Sequence, residues 1–386
     1  MKYLLLGSGM QGMAIAFDLL RHAEGTEQLI VYDQARESLD RLRDRFPDSR
    51  LQTVHGDVRD RARLEPLMKS TGTVISAVNY WFNADLATLA VSCRAHFVDL
   101  GGNNAVVQRE LALDSRARTM GVSVIPDCGL APGMAGILGY YLHGQLDSCE
   151  TLKLRVGGLP QHPRPPLDYM LVFSVQGLIN EYVEPAIVIR DGVVRTVPPL
   201  SEIEGLDFPS PYGRLEAFQT SGGISTLPMT LVGKVRNLDY KTIRYPGHCL
   251  RFRTLVDLGL CDAAPLSFGG ATFAPRDFLA MLLERTLTTQ DEDVVLVHVE
   301  AEGLAGGRPA RRICRIIDLY DATNGISAMT RTTGYPVAIV AHMLASGVIT
   351  QRGARPQELV VPIEPFLAEL NRRGIRPEFF DGETPS

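Results

Sequence analysis

Tyr3-Leu4-Leu5-Leu6-Gly7-Ser8-Gly9-Met10-Gln11-Gly12 decides how the first third of the chain is read. An apolar run of strand type feeds directly into G-x-G-x-x-G, and the residues after it have helical patterning. In such a turn Gly7 permits the tight bend, Gly9 lets the backbone approach a pyrophosphate, and Gly12 lets the helix pack closely on the strand. A second apolar run, Leu29-Ile30-Val31-Tyr32, ends in Asp33, which is 33 − 12 = 21 residues beyond the last glycine. That fits the spacing of about 20 expected for a ribose-binding carboxylate. A lone G-x-G-x-x-G arises often at ordinary strand-to-helix turns; strand, helix and acidic residue together point to a dinucleotide site. The Asp33 carboxylate can accept hydrogen bonds from a ribose 2′-hydroxyl and would repel a 2′-phosphate, so NAD is expected in preference to NADP. Arg36, three residues on, is the feature that would let a phosphate in, and its plain alternative is a solvated helix face.

The length of 386 residues suggests two domains, or three. A formal net charge of −5 without a basic run gives no reason to expect a nucleic-acid partner. No segment approaches the roughly 18 apolar residues of a spanning helix, and the first apolar run is interrupted by Gly7, so neither a signal peptide nor a membrane partner is expected. A cytoplasmic protein is the expectation. The six cysteines form no C-x-x-C pair and have no histidine at finger-like spacing, so no metal is expected. Only Cys128 stands near a strand end where chemistry is sought.

After Asp33 the chain alternates charged helical stretches with short apolar runs at Leu51 to Val54, Thr73 to Val78, His96 to Leu100 and Val122 to Pro126. Six parallel strands are the complement of a doubly wound sheet, whose ligands lie beyond the carboxyl ends of the strands. Those ends carry Gly7 to Gly12, Asp33, Asp57-Val58, Val78-Asn79-Tyr80, Asp99 to Gly102 and Asp127-Cys128-Gly129. Gly7, Gly9, Met10, Gln11, Gly12, Asp33, Asp57, Val58, Val78 and Asn79 are the cofactor-binding candidates. From about Glu150 the pattern changes to strands joined by turns, as in Ile187 to Arg190 and Val193 to Val197 around Asp191-Gly192, a hairpin signal. Tyr240 to Tyr245, Leu250 to Leu260 and Val294 to Glu300 read as further β-rich stretches, and Pro275 to Leu287 as a helix opened by proline. The apolar helix Val337 to Leu344 needs burial on two sides, which the open sheet of the first domain offers. The fold expected is α/β: a Rossmann doubly wound parallel sheet (1–130), an inserted α+β mixed-sheet substrate domain (131–325), and C-terminal helices returning to the Rossmann domain (326–386).

Hydride transfer from an alcohol or amine carbon requires a proton acceptor, because the heteroatom must be neutral before hydride can leave. Asp99 and Asp127 are the candidates, and the alternative for each is a carboxylate that closes its turn through backbone N–H groups. Tyr80 is a third, although Asn79-Tyr80-Trp81-Phe82 equally suits an aromatic cover over a cofactor or a core. In the second domain Thr220-Ser221-Gly222-Gly223 puts hydroxyl donors beside flexible residues, suited to a carboxylate or to a turn. In Tyr240 to Tyr245, the strand period of two sets Arg244 and Lys241 on opposite faces. Arg244 is the best carboxylate clamp, since a guanidinium fork matches a carboxylate bidentately; a solvated strand arginine is its alternative. Lys241 and Tyr169 complete the substrate-binding candidates. His248 is given no catalytic role.

These motifs together resemble the saccharopine dehydrogenase family. The family-level stretches are Gly7 to Gly12, Val98-Asp99-Leu100-Gly101-Gly102 and Pro126 to Met134. Val156 to Pro160, Pro165 to Tyr169, Leu215 to Gly223 and Tyr240 to His248 are similar to its lysine 6-dehydrogenase branch. The resemblance implies an enzyme that uses NAD to oxidise the ε-amine of L-lysine to an imine, hydrolysed to allysine and ammonia, with allysine cyclising to a piperideine carboxylate. It also implies a homo-oligomer, a dimer or larger. The alternatives are a saccharopine- or carboxynorspermidine-type dehydrogenase acting on a secondary amine, and a non-catalytic dinucleotide sensor. A substrate with three carboxylates would call for more cations than Arg244, and Arg155, Arg164 and Arg214 are the residues that could supply them.

Overall fold

The computed structural model describes residues 1–288 and 291–382; the last four residues of the expected C-terminal segment lie outside that range. Two compact units divide the chain. One comprises residues 1–141, 225–227 and 330–377, and the other takes 142–224, 228–329 and the residues from Glu378 on.

The first unit is built on the parallel strands β1 (Lys2–Leu6), β2 (Gln28–Asp33), β3 (Leu51–His55), β4 (Thr73–Ser76), β5 (His96–Asp99) and β6 (Ser123–Ile125). Their spatial order is β6-β5-β4-β1-β2-β3, and the short strand Gly353–Ala354 joins in parallel beside β6. β1 therefore lies at the point where the strand order reverses, the position at which doubly wound sheets bind ligands. Leu4, Leu6, Ile30, Val74, Phe97 and Val124 share one core with Leu64, Met68, Leu86 and Ala90 of the covering helices. Central strands buried on both faces account for their nearly continuous apolar runs.

The helix Ala328–Ala345 returns the chain to this unit, with Val337 to Ala341 fully buried and His342 Nδ1 3.0 Å from the hydroxyl of Tyr3 on β1. The divisions at 141 and 330 fall beyond the expected 130 and 325, because Met134–His143 continues from the loop after β6. The C-terminal segment is split: Glu378–Gly382 pairs in the second unit instead. One helix expected from Ala105 to Met120 is two, Asn104–Leu111 and Asp114–Met120.

The second unit holds β7 (Ser148–Pro160), β8 (Ala186–Arg190), β9 (Val193–Val197), β10 (Glu204–Phe208), β11 (Gly213–Gln219), β12 (Val235–Arg244), the separate hairpin β13 (Leu266–Phe268) and β14 (Ala271–Phe273), β15 (Asp293–Ala305) and β16 (Arg308–Leu319). The large sheet runs β10-β11-β12-β7-β15-β16 and ends in Glu378–Gly382, with β8 and β9 attached beside β12. Only β12 and β7 pair in parallel. The β8–β9 turn places Asp191 and Gly192 at φ 52° and 77°, as a two-residue hairpin requires.

The stretch Leu250 to Leu260, expected as β-rich, is instead helix His248–Asp257. Gly247 at φ 89° turns the chain out of β12, and His248, Cys249 and Phe252 form the helix's buried face. Among the described residues no helix is long and apolar enough to cross a membrane.

Candidate active site

The turn after β1 is shaped by what its glycines exclude. A Cβ on Gly12 would stand 2.1 Å from the Gly7 carbonyl oxygen, and one on Gly7, at φ 101°, would lie 2.6 Å from that of Ala77. Gly9 differs, because a Cβ there would meet open space. Gly9 caps helix Met10–His22 with no side-chain hydrogen bond and no acidic residue follows in the first turn, so the leading N–H groups face that space. At the end of β2 Asp33 accepts from the Ser8 N–H (2.6 Å), the Ser8 hydroxyl (2.9 Å) and the Ala35 N–H (2.7 Å). Its carboxylate is thereby aimed along the glycine turn and remains half-exposed. Bare N–H groups over an open glycine, with a fixed carboxylate beside them, fit the diphosphate and ribose of a dinucleotide.

At the ends of β5 and β6 the same unit buries three carboxyl groups, Asp99, Glu110 and Asp127. Asp99 Oδ1 accepts from the N–H groups of Gly101 (2.6 Å) and Asp127 (3.1 Å), which locks the two strand ends together. Asp127 adopts a left-handed backbone, φ 62°, and presses so closely on Gly101 that a Cβ there would lie 2.0 Å from its Oδ1. The second oxygen of Asp99 and both oxygens of Glu110 and Asp127 meet no backbone donor; the carboxyl groups of Asp99 and Glu110 lie against each other, and the Ser225 hydroxyl stands beside Asp127.

Burial and the neighbouring Asp99 charge push Glu110 up to about 11, so it stays protonated. Burial, then Asp99, push Asp127 up to about 8. Burial raises Asp99 as well, against hydrogen bonding that favours its charge. Carboxyl groups crowded in low dielectric do not all ionise, and a group held near 8 is suited to exchange a proton with an amine.

The second unit contains a different constellation. On β12, alternation puts Tyr240, Thr242 and Arg244 on one face. Arg244 is buried; its Nε donates to the Tyr182 hydroxyl (3.0 Å) and its Nη1 to the Ile243 carbonyl (2.9 Å). Its guanidinium carbon lies 4.5 Å from the centre of the Tyr169 ring. His248 Nδ1 is 2.9 Å from the Leu167 carbonyl, which can only accept, so this nitrogen carries the proton. Nε2 then accepts from Tyr182, 3.0 Å away. Burial, then Arg244, push His248 down to about 3, so it is a neutral strut. The chain carbonyl, imidazole, phenol and guanidinium thus form a directed relay of hydrogen bonds that aims Arg244. Among the described residues its Nη2 has no hydrogen-bond partner, leaving donors for an anion.

Two models of known domains match this chain: the saccharopine dehydrogenase NADP binding domain over residues 3–125 and the saccharopine dehydrogenase C-terminal domain over 129–375. The chain belongs to the saccharopine dehydrogenase family. Its first unit is accordingly a pyridine-nucleotide-binding domain.

Among relatives of this family, the saccharopine dehydrogenase [NADP(+), L-glutamate-forming] of Pyricularia oryzae is 26% identical over 82% of this chain and 86% of its own. The mitochondrial alpha-aminoadipic semialdehyde synthase of Mus musculus is 22% identical over 97% of this chain. The chain spans about half the length of that synthase, 47%. In fold it is similar to the saccharopine dehydrogenase (L-Glu forming) of Saccharomyces cerevisiae, with a TM-score of 0.81 at 20% identity over 99% of both chains. A homospermidine synthase from Legionella pneumophila, solved with NAD, superposes with a TM-score of 0.67 at 11% identity over 99% of this chain and 92% of its own.

Within this family member, the sequence candidates separate. Asp99 and Asp127 come together, as do Arg244 and Tyr169. Thr220 hydrogen-bonds Thr242 (2.7 Å) on the Arg244 face, while Ser221 is turned to the Asn180 carbonyl (3.4 Å). Lys241 is not with Arg244: it donates to Glu204 (2.9 Å) and to the Glu202 carbonyl (2.7 Å) on the opposite face. Asp57 is held in an exposed ion pair with Arg59, and its backbone carbonyl accepts from the Tyr32 hydroxyl. Val58 packs against the first unit's core, as does Val78, while Asn79 is exposed. Tyr80 packs on Gly102, where a Cβ would be 3.0 Å from its ring, and edge-on to Trp81.

Of the possible extra clamps, Arg155 is held by Glu204 and Asp239, Arg214 pairs with Asp207, and Arg164 is exposed. Reading the sequence missed Glu110, Glu181, Tyr182 and Tyr240. Among the described residues no group of three or more metal-ligating side chains is placed to hold a metal ion.

Proposed function

We propose that the chain is an NAD-dependent amine dehydrogenase that oxidises the ε-amine of L-lysine. The observation that carries the substrate reading is Arg244, a buried guanidinium that donates to the neutral Tyr182 phenol, lies over the Tyr169 ring and has the Glu181 carboxylate near it. One amino-acid carboxylate needs one such clamp; of the further arginines that a substrate with three would call on, Arg155 and Arg214 are already paired, and Arg164 is exposed. The cofactor reading rests on Asp33, which favours a free 2′-hydroxyl. Arg36 is exposed and the matched domain model carries NADP in its name, so the preference is one of degree.

NAD, when bound, accepts hydride from the carbon bearing the amine. The protein's part is to hold and to take protons. In the second unit Arg244 offers its donors to a carboxylate; in the first, Asp127 as carboxylate takes the proton from the ammonium, leaving a lone pair to assist hydride departure. Asp99 tunes Asp127 through its charge, and Glu110 stays neutral beside it. The C–H pair of electrons leaves as hydride and a C=N bond forms; water then adds, ammonia leaves, and the aldehyde closes on the α-amine with loss of water. Proton abstraction assigns the catalytic part to Asp127 over Asp99, whose Oδ1 already accepts two backbone N–H groups, and over Tyr80.

A saccharopine-type reading draws on the relatives' names and shares every step up to the imine. The test is cofactor reduction at mildly alkaline pH with L-lysine, with saccharopine and with neither. Reduction with lysine and a cyclic imine product supports the proposal; reduction with saccharopine alone overturns the substrate.

A further inference from the structure

Beside Arg244 stands a carboxylate with nothing to do. Glu181 lies on helix Val175–Val183, which Ser174 caps by accepting the Gly177 N–H (3.0 Å). Buried positions Val175, Leu178, Ile179 and Tyr182 fix that helix against the second unit's core. Tyr182 reaches Arg244, and Glu181, next in the chain, lies near enough for the guanidinium to favour its charged form. Among the described residues its side chain has no hydrogen-bond partner and no ion pair within 4 Å.

The main chain around it is arranged to admit something. Ser221 N–H donates to the Glu181 carbonyl (3.0 Å), which sets the Ser221-Gly222-Gly223 turn against the helix. A Cβ on Gly222 would lie 3.7 Å from Glu181 Cγ, and one on Gly223 would collide with the Tyr240 ring at 2.1 Å. Gly223 therefore lets the Tyr240 ring close in, while Gly222, at φ 83°, makes the turn that packs against the Glu181 side chain. Tyr169, Tyr182 and Tyr240 surround the charged pair with aromatic surface.

We infer that Glu181 binds the α-ammonium of the substrate while Arg244 binds its α-carboxylate, so that the second unit recognises the complete zwitterionic head of an α-amino acid. An ammonium and a carboxylate on one carbon match a carboxylate and a guanidinium held side by side, and charge-assisted hydrogen bonds are the strongest that a site of this kind can offer. The inference deepens the lysine reading and rests on it for the reaction. Recognition of the head is separable from turnover. Burial pushes Glu181 up to about 7 and Arg244 opposes it, so an arriving ammonium would supply the partner that the protein does not.

The experiment compares ligands with and without the α-amine. Binding of L-norleucine and of hexanoate to the NAD-loaded protein is measured calorimetrically, for wild type and Glu181→Gln, and KM and kcat are measured for L-lysine and 6-aminohexanoate. Wild type is expected to bind norleucine at least about tenfold tighter than hexanoate, and Glu181→Gln to bring the two within about twofold. For lysine the variant should raise KM at least about tenfold with kcat changed less than about threefold, leaving 6-aminohexanoate unaffected.

If lysine is not turned over but the norleucine preference exists and depends on Glu181, the reaction reading fails and the head-group inference stands. If wild type shows no preference for norleucine, or the variant keeps it, the inference is overturned. The wild-type comparison decides even if the variant fails to fold.

Discussion

Two buried carboxyl groups at adjacent strand ends give single-residue predictions of opposite sign. With Asp127 pushed up to about 8, burial first and Asp99 second, kcat/KM for lysine should fall about tenfold per unit as pH drops below 8. Asp127→Asn should cost about 10²- to 10⁴-fold in kcat and leave NAD affinity intact. Asp99→Asn keeps an oxygen for the Gly101 N–H but removes the charge, so it should retain activity and move the acid limb of the pH profile downward. Full activity in Asp127→Asn would place the base elsewhere.

The raised pKa also has a stability consequence. Folded Asp127 keeps its proton up to about 8 whereas the unfolded group releases it near the ordinary carboxyl value of 3.8, so folding loses stability as pH rises through that window. Asp127→Asn should therefore melt above wild type at pH 8, with the gap closing toward pH 4, as thermal denaturation at the two pH values will report. Asp127 and Arg244 were legible because motif position and strand period expose them. Glu181 and Glu110 were not: on a helix an acidic residue beside an apolar one reads as a solvated face, and only tertiary packing sets Glu181 beside Arg244.

Elements raise a different question, which is why some stretches declare themselves. The glycine turn after β1 does so because each glycine has its own steric reason, and the reasons predict different outcomes. Gly9→Ala meets open space, so the cofactor-free protein should keep its melting temperature while the NAD Kd rises at least about tenfold. In Gly12→Ala the new methyl would overlap the Gly7 carbonyl, so overpacking of roughly 1–3 kcal/mol should lower the melting temperature as well. Calorimetry of both variants with and without NAD separates the two effects.

Helix His248–Asp257 differs from the β-rich expectation because Leu250 to Leu260 sets Leu, Phe and Val among polar residues at spacings that suit either period. The decisive signal was Gly247 in a left-handed conformation, a turn that starts the helix directly after β12. The break at Ala112–Leu113 has no comparable marker: both residues favour helix, yet they form the turn between Asn104–Leu111 and Asp114–Met120.

At the scale of the molecule, the parallel sheet followed from alternation of apolar runs and helices, since each crossover can be wound only one way. The return of the chain to that sheet followed from a helix too apolar to stand alone. The nine-stranded sheet did not, because nothing local in β7 or β12 states that they pair in parallel within an otherwise antiparallel order. Nor did the fate of Glu378–Gly382, whose charged strand finds its partner only when β16 presents an edge.

The fold by itself does not choose the substrate, and the proposed function rests that choice on Arg244 and its neighbours. The most direct test is NAD reduction by the purified protein with L-lysine and with saccharopine, followed by mass spectrometry of the product. Reduction with lysine, with ammonia released and a six-membered cyclic imine carboxylate formed, is the predicted result. Reduction with saccharopine and none with lysine would contradict it.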